Sequence, residues 1–97
     1  MSGQFIHIGF FTVKLNSREE FVQVMKDYEG DISQRGLDHS HLVELENKPS
    51  NFRYITIWKS KADWEAVEDL DEHKEMHVKR DALLTEEAKS NVGTVVI

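Results

Sequence analysis

Five histidines occur among the 97 residues, and their spacing is the first indication of chemistry. His73 and His77 stand four residues apart, which places two imidazoles on one helical face. Such a pair can bind zinc or copper, but a metalloprotease motif has Glu directly after the first His, where this chain has Lys74. Because no third ligand is recognisable, we predict no metal site and a solvated surface position for His73.

His77 has a different expected environment, because residues seven apart share a helical stripe and His77 lies midway between Leu70 and Leu84. On one continuous helix it faces the sheet, where a neutral imidazole suits an axial ligand or a proton-transfer group. A histidine at the edge of the core, hydrogen-bonded to a backbone carbonyl, is equally compatible with this stripe. A helix break within residues 69–72 would remove the basis for this assignment.

The remaining histidines lie in strand patterns. His39 and His41 share a face with Val43 in the alternating segment 39–46, and His7 lies in the first apolar segment. We take His41, with His77, as a candidate acid/base group, the alternative being a buried histidine with satisfied hydrogen bonds. Flat apolar walls for an aromatic ligand are available in four side chains that otherwise belong to the core, Phe10, Tyr54, Trp58 and Trp64.

The elements that position these residues follow from periodicity. Residues 5–15 predict a strand with two apolar faces, and a capping box at Ser17 opens a helix that runs to about residue 34. Segments 39–46 and 52–58 predict a hairpin. A second helix begins after Ser60 and continues through 73–84, and residues 93–97 close the chain as a strand. The order βαββαβ predicts an α+β, ferredoxin-like antiparallel sheet with both helices on one face.

One face of this sheet is left without a cover. We expect the helices to pack on Ile6, Ile8 and Phe10, leaving the set with Phe5 and Phe11 apolar and exposed. Soluble monomers rarely expose so large an apolar patch. The economical solution is a homodimer packed sheet against sheet.

Composition limits the other function classes. Twelve Lys and Arg against eighteen Asp and Glu give a net charge of −6, which argues against nucleic acid and anionic membranes as partners. The chain has no Cys, no nucleotide-phosphate motif and no apolar run long enough to span a membrane. We therefore expect a single cytoplasmic domain over residues 1–97.

The segment ITIWKSKADWEAVEDLDEHKEMH, residues 55–77, resembles the antibiotic biosynthesis monooxygenase family of the dimeric α+β barrel superfamily. The resemblance implies a homodimer and a pocket between sheet and helices. Some members oxidise polycyclic phenols or quinols with O₂ and no cofactor, and others bind and degrade haem. His77 matches the axial-ligand position of the haem-degrading members, whereas Gly9 and Val67 replace their Asn and second Trp.

The leading interpretation is a homodimeric monooxygenase that oxidises an aromatic or quinol-type substrate and requires no cofactor. Its predicted catalytic groups are His77 and His41. Its predicted pocket comprises Trp58, Trp64, Phe10, Tyr54 and Val67. One alternative is a haem-binding or haem-degrading protein with His77 as axial ligand, and another is a non-catalytic dimer that binds a small aromatic molecule.

Overall fold

A computed structural model describes residues 3–97 and gives seven elements within them. No helix in this range is both long and apolar enough to cross a membrane. The strands and helices, in chain order, are β1 (Phe5–Thr12), α1 (Arg18–Ile32), β2 (Leu37–Glu44), β3 (Asn51–Trp58), α2 (Lys61–Glu68), α3 (Asp71–Asp81) and β4 (Lys89–Thr94).

The four strands form one antiparallel sheet in the order β2-β3-β1-β4. β1 is central and pairs with β3 along its whole length, from Phe5 opposite Trp58 to Thr12 opposite Asn51. The hairpin of β2 and β3 forms as expected, and the sheet is open within one chain. The predicted α+β, ferredoxin-like fold class is confirmed.

The prediction of which face of β1 the helices cover was wrong. Phe5 and Phe11 are at most 5% exposed and pack beneath the helices, whereas Ile6, Ile8 and Phe10 lie on the uncovered face. The Phe11 ring lies 5.6 Å from the ring of Phe21 on α1. Alternation distinguishes the two sets of side chains but does not say which set faces the helices, since both are apolar.

The second helical region is broken where the sequence allowed a break. α2 starts at a true cap, since the Ser60 hydroxyl accepts a hydrogen bond of 3.1 Å from the Asp63 backbone amide. It ends at Glu68, and Leu70 then adopts an extended conformation before α3 begins. The stripe of residues 70, 77 and 84 on one continuous helix was therefore wrong, and the position of His77 depends on α3 alone.

The last strand begins four residues earlier than the predicted segment 93–97. β4 spans Lys89–Thr94 and pairs with β1, with Phe10 opposite Lys89 and Phe5 opposite Thr94. Nearly all its side chains are exposed. An edge strand is held mainly by backbone hydrogen bonds, so its side chains carry little periodic apolar signal.

Candidate active site

A cavity of about 160 Å³ lies between the covered face of the sheet and the three helices. Trp58, Trp64 and Tyr54 form aromatic walls, and the Trp64 ring stacks against the His7 imidazole at a centroid distance of 5.4 Å. An apolar cavity of about 150 Å³ is sufficient to hold benzene. The volume of the cavity therefore matches a ligand with one aromatic ring.

Three imidazoles line this cavity. His73 and His77 come from α3, with ring centroids 4.3 Å apart, and His7 comes from the centre of β1. Met76 and Arg80 lie on the same face of α3, because steps of three and four residues keep side chains on one side of a helix. Thus α3 presents one continuous face to the cavity, even though the helical region is broken before it.

The cavity keeps these imidazoles neutral. Burial lowers the pKa of His73 to about 4, and the positive charges of His77 and Arg80 add to the effect. Burial and then Arg80 also lower the pKa of His7 and of His77, while Asp81 acts in the opposite direction on His77. Close to neutral pH, all three rings are therefore largely uncharged.

Hydrogen bonds give the three rings different roles. Arg80 Nη2 donates to His77 Nδ1 at 3.3 Å, which leaves the His77 proton on Nε2 as a donor. A hydrogen bond of 2.7 Å joins the Tyr28 hydroxyl to His73 Nδ1, and burial raises the pKa of Tyr28, so its hydroxyl stays protonated. The His7 ring has no hydrogen-bond partner within residues 3–97, and outside the strand ladder His7 accepts only at its backbone carbonyl, from the Thr56 hydroxyl at 3.5 Å. The His7 ring is therefore the one left free to act on a ligand.

Arg80 contacts Asp81 and Phe11 in addition to His77. It is 7% exposed, its Nη2 lies 2.9 Å from Asp81 Oδ1, and its guanidinium lies over the Phe11 ring at 4.7 Å. The Phe11 ring in turn lies across Gly9, where an added Cβ would be only 2.6 Å from the ring. The missing side chain at Gly9 thus makes room for the ring that supports the buried cation.

The structure brings together most, but not all, of the predicted site residues. His77, Trp58, Trp64 and Tyr54 line the cavity, and Val67 is buried in the core without lining it.

Phe10 and His41 lie on the uncovered face, away from this cavity. Phe10 packs under the Arg53 guanidinium at 4.6 Å, and His41 pairs in register with Ile55. His41 also borders a shallow hollow between α1 and β2. A strand alternates sides at every residue, so this register directs both side chains away from the helices. His41 and His77 therefore cannot act on one ligand within a single chain.

Comparison with known proteins agrees with this geometry. The sequence model of the antibiotic biosynthesis monooxygenase family matches residues 4–79. The chain belongs to this family. No curated protein sequence matches the chain.

Solved structures show how widely the fold of the antibiotic biosynthesis monooxygenases is shared. A conserved protein of Methanosarcina mazei has 16% identity and a TM-score of 0.87, over 93% of this chain and 90% of that one. A variant of SnoaB from Streptomyces nogalater, described as a cofactor-independent oxygenase, has 16% identity and a TM-score of 0.87, over 97% and 94%. Rv0793 of Mycobacterium tuberculosis has 11% identity and a TM-score of 0.87, over 98% and 97%.

Within this monooxygenase family member, the residues around His77 do not fit haem. The cavity of about 160 Å³ matches one aromatic ring, whereas a porphyrin contains four pyrrole rings. A metal-bound His usually donates its second ring N–H to a carbonyl or carboxylate, which raises its basicity. Here Arg80 donates to His77 instead, which lowers the basicity of the ring. Within residues 3–97, no group of three or more His, Cys, Asp or Glu is arranged to hold a metal ion.

Sequence reasoning did not assign four residues to this candidate site. His73 and Arg80 line the cavity, so the prediction of a solvated surface position for His73 was wrong. The spacing 73, 76, 77 and 80 was the available signal, but it is mostly polar and was interpreted as surface. His7 and Tyr28 carried weaker signals, since each was part of an otherwise apolar pattern.

Proposed function

We propose that this protein is a cofactor-independent monooxygenase that oxidises a one-ring phenol or hydroquinol with O₂ in the cavity beneath α2 and α3. One observation carries the proposal: a cavity the size of a benzene ring is lined by three neutral imidazoles beside the buried guanidinium of Arg80. Family membership supports the oxygenase class, and the structural similarity to SnoaB, a cofactor-independent oxygenase, supports chemistry without a cofactor.

The electrostatics favour the anionic form of such a substrate. Burial beside Arg80 disfavours added positive charge, which is why the pKa of His7 falls. The same cation stabilises a phenolate, so it lowers the pKa of a phenol bound within its reach. Asp81, at 2.9 Å from Arg80, offsets part of this field. Deprotonation matters because the electron-rich phenolate, unlike the phenol, can transfer an electron to O₂.

Two imidazoles are assigned different tasks in this scheme. The His7 ring accepts the phenol proton, because it lines the cavity and because Nδ1 of His73 and Nδ1 of His77 are already hydrogen-bonded to other side chains. His77 donates from Nε2 to the negative oxygen that develops as O₂ is reduced. Tyr28 and His73 hold the adjacent wall through their mutual hydrogen bond.

The reaction balances without another co-reactant. The phenolate gives one electron to O₂, and the resulting phenoxyl radical and superoxide combine to form a carbon–oxygen bond at a ring carbon ortho or para to the oxygen that carries a hydrogen atom. Protonation gives a hydroperoxide. Loss of the proton on that carbon, with cleavage of the O–O bond, releases water and leaves a quinone. One O₂ is therefore consumed for each phenol converted to quinone and water.

We also propose that a second copy covers the exposed sheet face. Ile6, Ile8 and Phe10 of β1, with Ile55 and Ile57 of β3, form a continuous apolar surface that no helix covers. An exposed apolar sheet face of this kind is typical of a protein–protein interface. A two-fold dimer through these residues closes two open sheets into the barrel expected for the superfamily.

Oxygen uptake with hydroquinone and catechol tests the catalytic proposal. We expect uptake by the wild type and a loss of about 100-fold or more in His7→Gln, since a general base contributes about 10² to 10⁴ in rate. His41→Gln, on the uncovered face, is the matched control and retains activity. If the substrates raise Tm but no oxygen is consumed, the protein is a non-catalytic binding protein rather than an enzyme. A Soret band on adding haemin that His77→Ala lacks would restore the haem alternative.

A further inference from the structure

The cavity is separated from a second hollow by a wall of two side chains. The second hollow, of about 450 Å³, lies between α1 and β2 and is more open to solvent. Met25 and Tyr54 line both spaces, Met25 from α1 and Tyr54 from β3. They are 2% and 5% exposed, so together they form a closed partition.

The two halves of this wall differ in how firmly they are held. The Tyr54 hydroxyl donates to Glu29 Oε1 at 3.2 Å, and the Ser40 hydroxyl also bonds to Glu29, so the Tyr54 ring is anchored at its polar end. Met25 has only an apolar thioether at its tip. An unbranched thioether repacks easily. Removal of the Met25 side chain would therefore open the wall while the anchored Tyr54 stays in place.

We propose that Met25 sets the size limit of the substrate, selecting one-ring phenols over fused two-ring phenols. The inference rests on the proposed function for the identity of the ligand class. With the wall closed, the space of about 160 Å³ suits a single ring. With the wall open, the cavity continues into the second hollow, and the joined space reaches the range of about 300 to 1,000 Å³ typical of ligand pockets. Met25 is thus a specificity-determining residue and takes no part in proton transfer.

Anaerobic binding of phenol and 1-naphthol to the full chain tests this inference. The fluorescence of Trp58 and Trp64, which line the cavity, reports occupancy. We expect the wild type to bind 1-naphthol at least about tenfold more weakly than phenol. The reason is that a single extra methylene group on a ligand already changes discrimination by a hydrophobic pocket about 10- to 200-fold. We expect Met25→Ala to bind 1-naphthol at least about tenfold more tightly than the wild type does, with phenol affinity changed much less.

Met76→Ala is the matched control, because Met76 also lines the cavity but borders a hollow of only about 70 Å³ between α1 and α3. It should leave 1-naphthol binding weak. Met25→Leu, which conserves volume, should keep the wild-type preference, and Met25→Val serves if the alanine variant does not fold.

The inference is overturned if the wild type binds the two phenols equally or binds neither. It is also overturned if Met76→Ala gains as much naphthol affinity as Met25→Ala, or if folded Met25 variants gain none. Because O₂ is excluded, a failure of catalysis in the oxygen-uptake assay leaves this result standing. If Met25→Ala keeps the wild-type preference for phenol, Met25 does not set the size limit, and the proposed monooxygenase function is unaffected.

Discussion

Substitution of Gly9 by Ala tests whether the site depends on a missing side chain. The new Cβ would lie 2.6 Å and 2.8 Å from two carbons of the Phe11 ring, whereas carbon atoms pack best at about 3.5 to 4.0 Å. The ring must therefore move by about 1 Å. It has little room, because it is 4% exposed and lies between the Phe21 ring and the Arg80 guanidinium.

The expected free-energy change combines two opposing effects. Overpacking a core costs about 1 to 3 kcal/mol. Replacing Gly by Ala within a strand returns about 0.5 to 1 kcal/mol of backbone entropy. The net loss for Gly9→Ala lies between about 0 and 2.5 kcal/mol, with a central value of about 1 kcal/mol. For a chain of this size each kcal/mol lowers Tm by about 4 to 8 °C, so thermal unfolding followed by circular dichroism should show a decrease of about 4 to 8 °C for the central value.

The chain provides two matched controls for this measurement. A Cβ at Gly93, on β4, would meet only Ile6 Cγ2 at 3.7 Å, an ordinary contact, so Gly93→Ala should not lower Tm. A Cβ at Gly30, on α1, meets nothing within 4 Å, so Gly30→Ala should stabilise the helix by up to about 1 kcal/mol. If Gly9→Ala unfolds at the wild-type temperature while the controls behave as stated, the close approach of Phe11 to the backbone is refuted.

Four further predictions follow from the same structure. The pKa of His73 is about 4 in the folded protein and 6.5 ordinarily, so between these two pH values the unfolded chain binds more protons than the folded one. The free energy of unfolding should therefore fall as the pH drops from 6.5 to 4, and His73→Gln should reduce that fall in urea denaturation. Burial and then Arg80 hold the pKa of His77 down, so Arg80→Met should raise the NMR titration midpoint of His77, and an unchanged midpoint would argue against their contact. Ser60→Ala removes the cap of α2 and should lower stability by about 1 kcal/mol in urea, whereas no change would show that the cap hydrogen bond is unimportant. Ile55→Arg places a charge on the uncovered face and should give monomers in sedimentation, and an intact dimer would place the interface elsewhere.

Hydrophobic periodicity and helix capping predict where most of the strands and helices lie. Alternation in residues 5–15 and 52–58 predicts two strands with apolar residues on both sides, and the structure has them as β1 and β3, the two central strands. The spacing of Phe21, Val24, Met25, Tyr28 and Ile32 predicts α1 and its buried face; Val24 is half-buried and the other four are buried. The cap at Ser60 predicts the start of α2. These signals are local, since each depends on neighbours within one or two turns.

The composition of the site was decided by tertiary structure. Which apolar face of β1 meets the helices depends on the packing of α1 against Phe11 and Phe52, and no periodicity of β1 contains that information. This choice places His7 in the cavity and Phe10 outside it.

Tertiary structure also decided the environment of the polar residues on α3. α3 is largely polar, so its helical spacing does not show whether His73 and Arg80 lie over a cavity or in water. Arg80 is buried and His73 half-buried because the sheet and α1 supply the apolar surroundings, including the Phe11 ring beneath Arg80. The sequence alone determined where strands and helices form, because hydrophobic periodicity is a local property. The tertiary structure decided which polar groups share one desolvated space, because that depends on contacts between residues far apart in the chain.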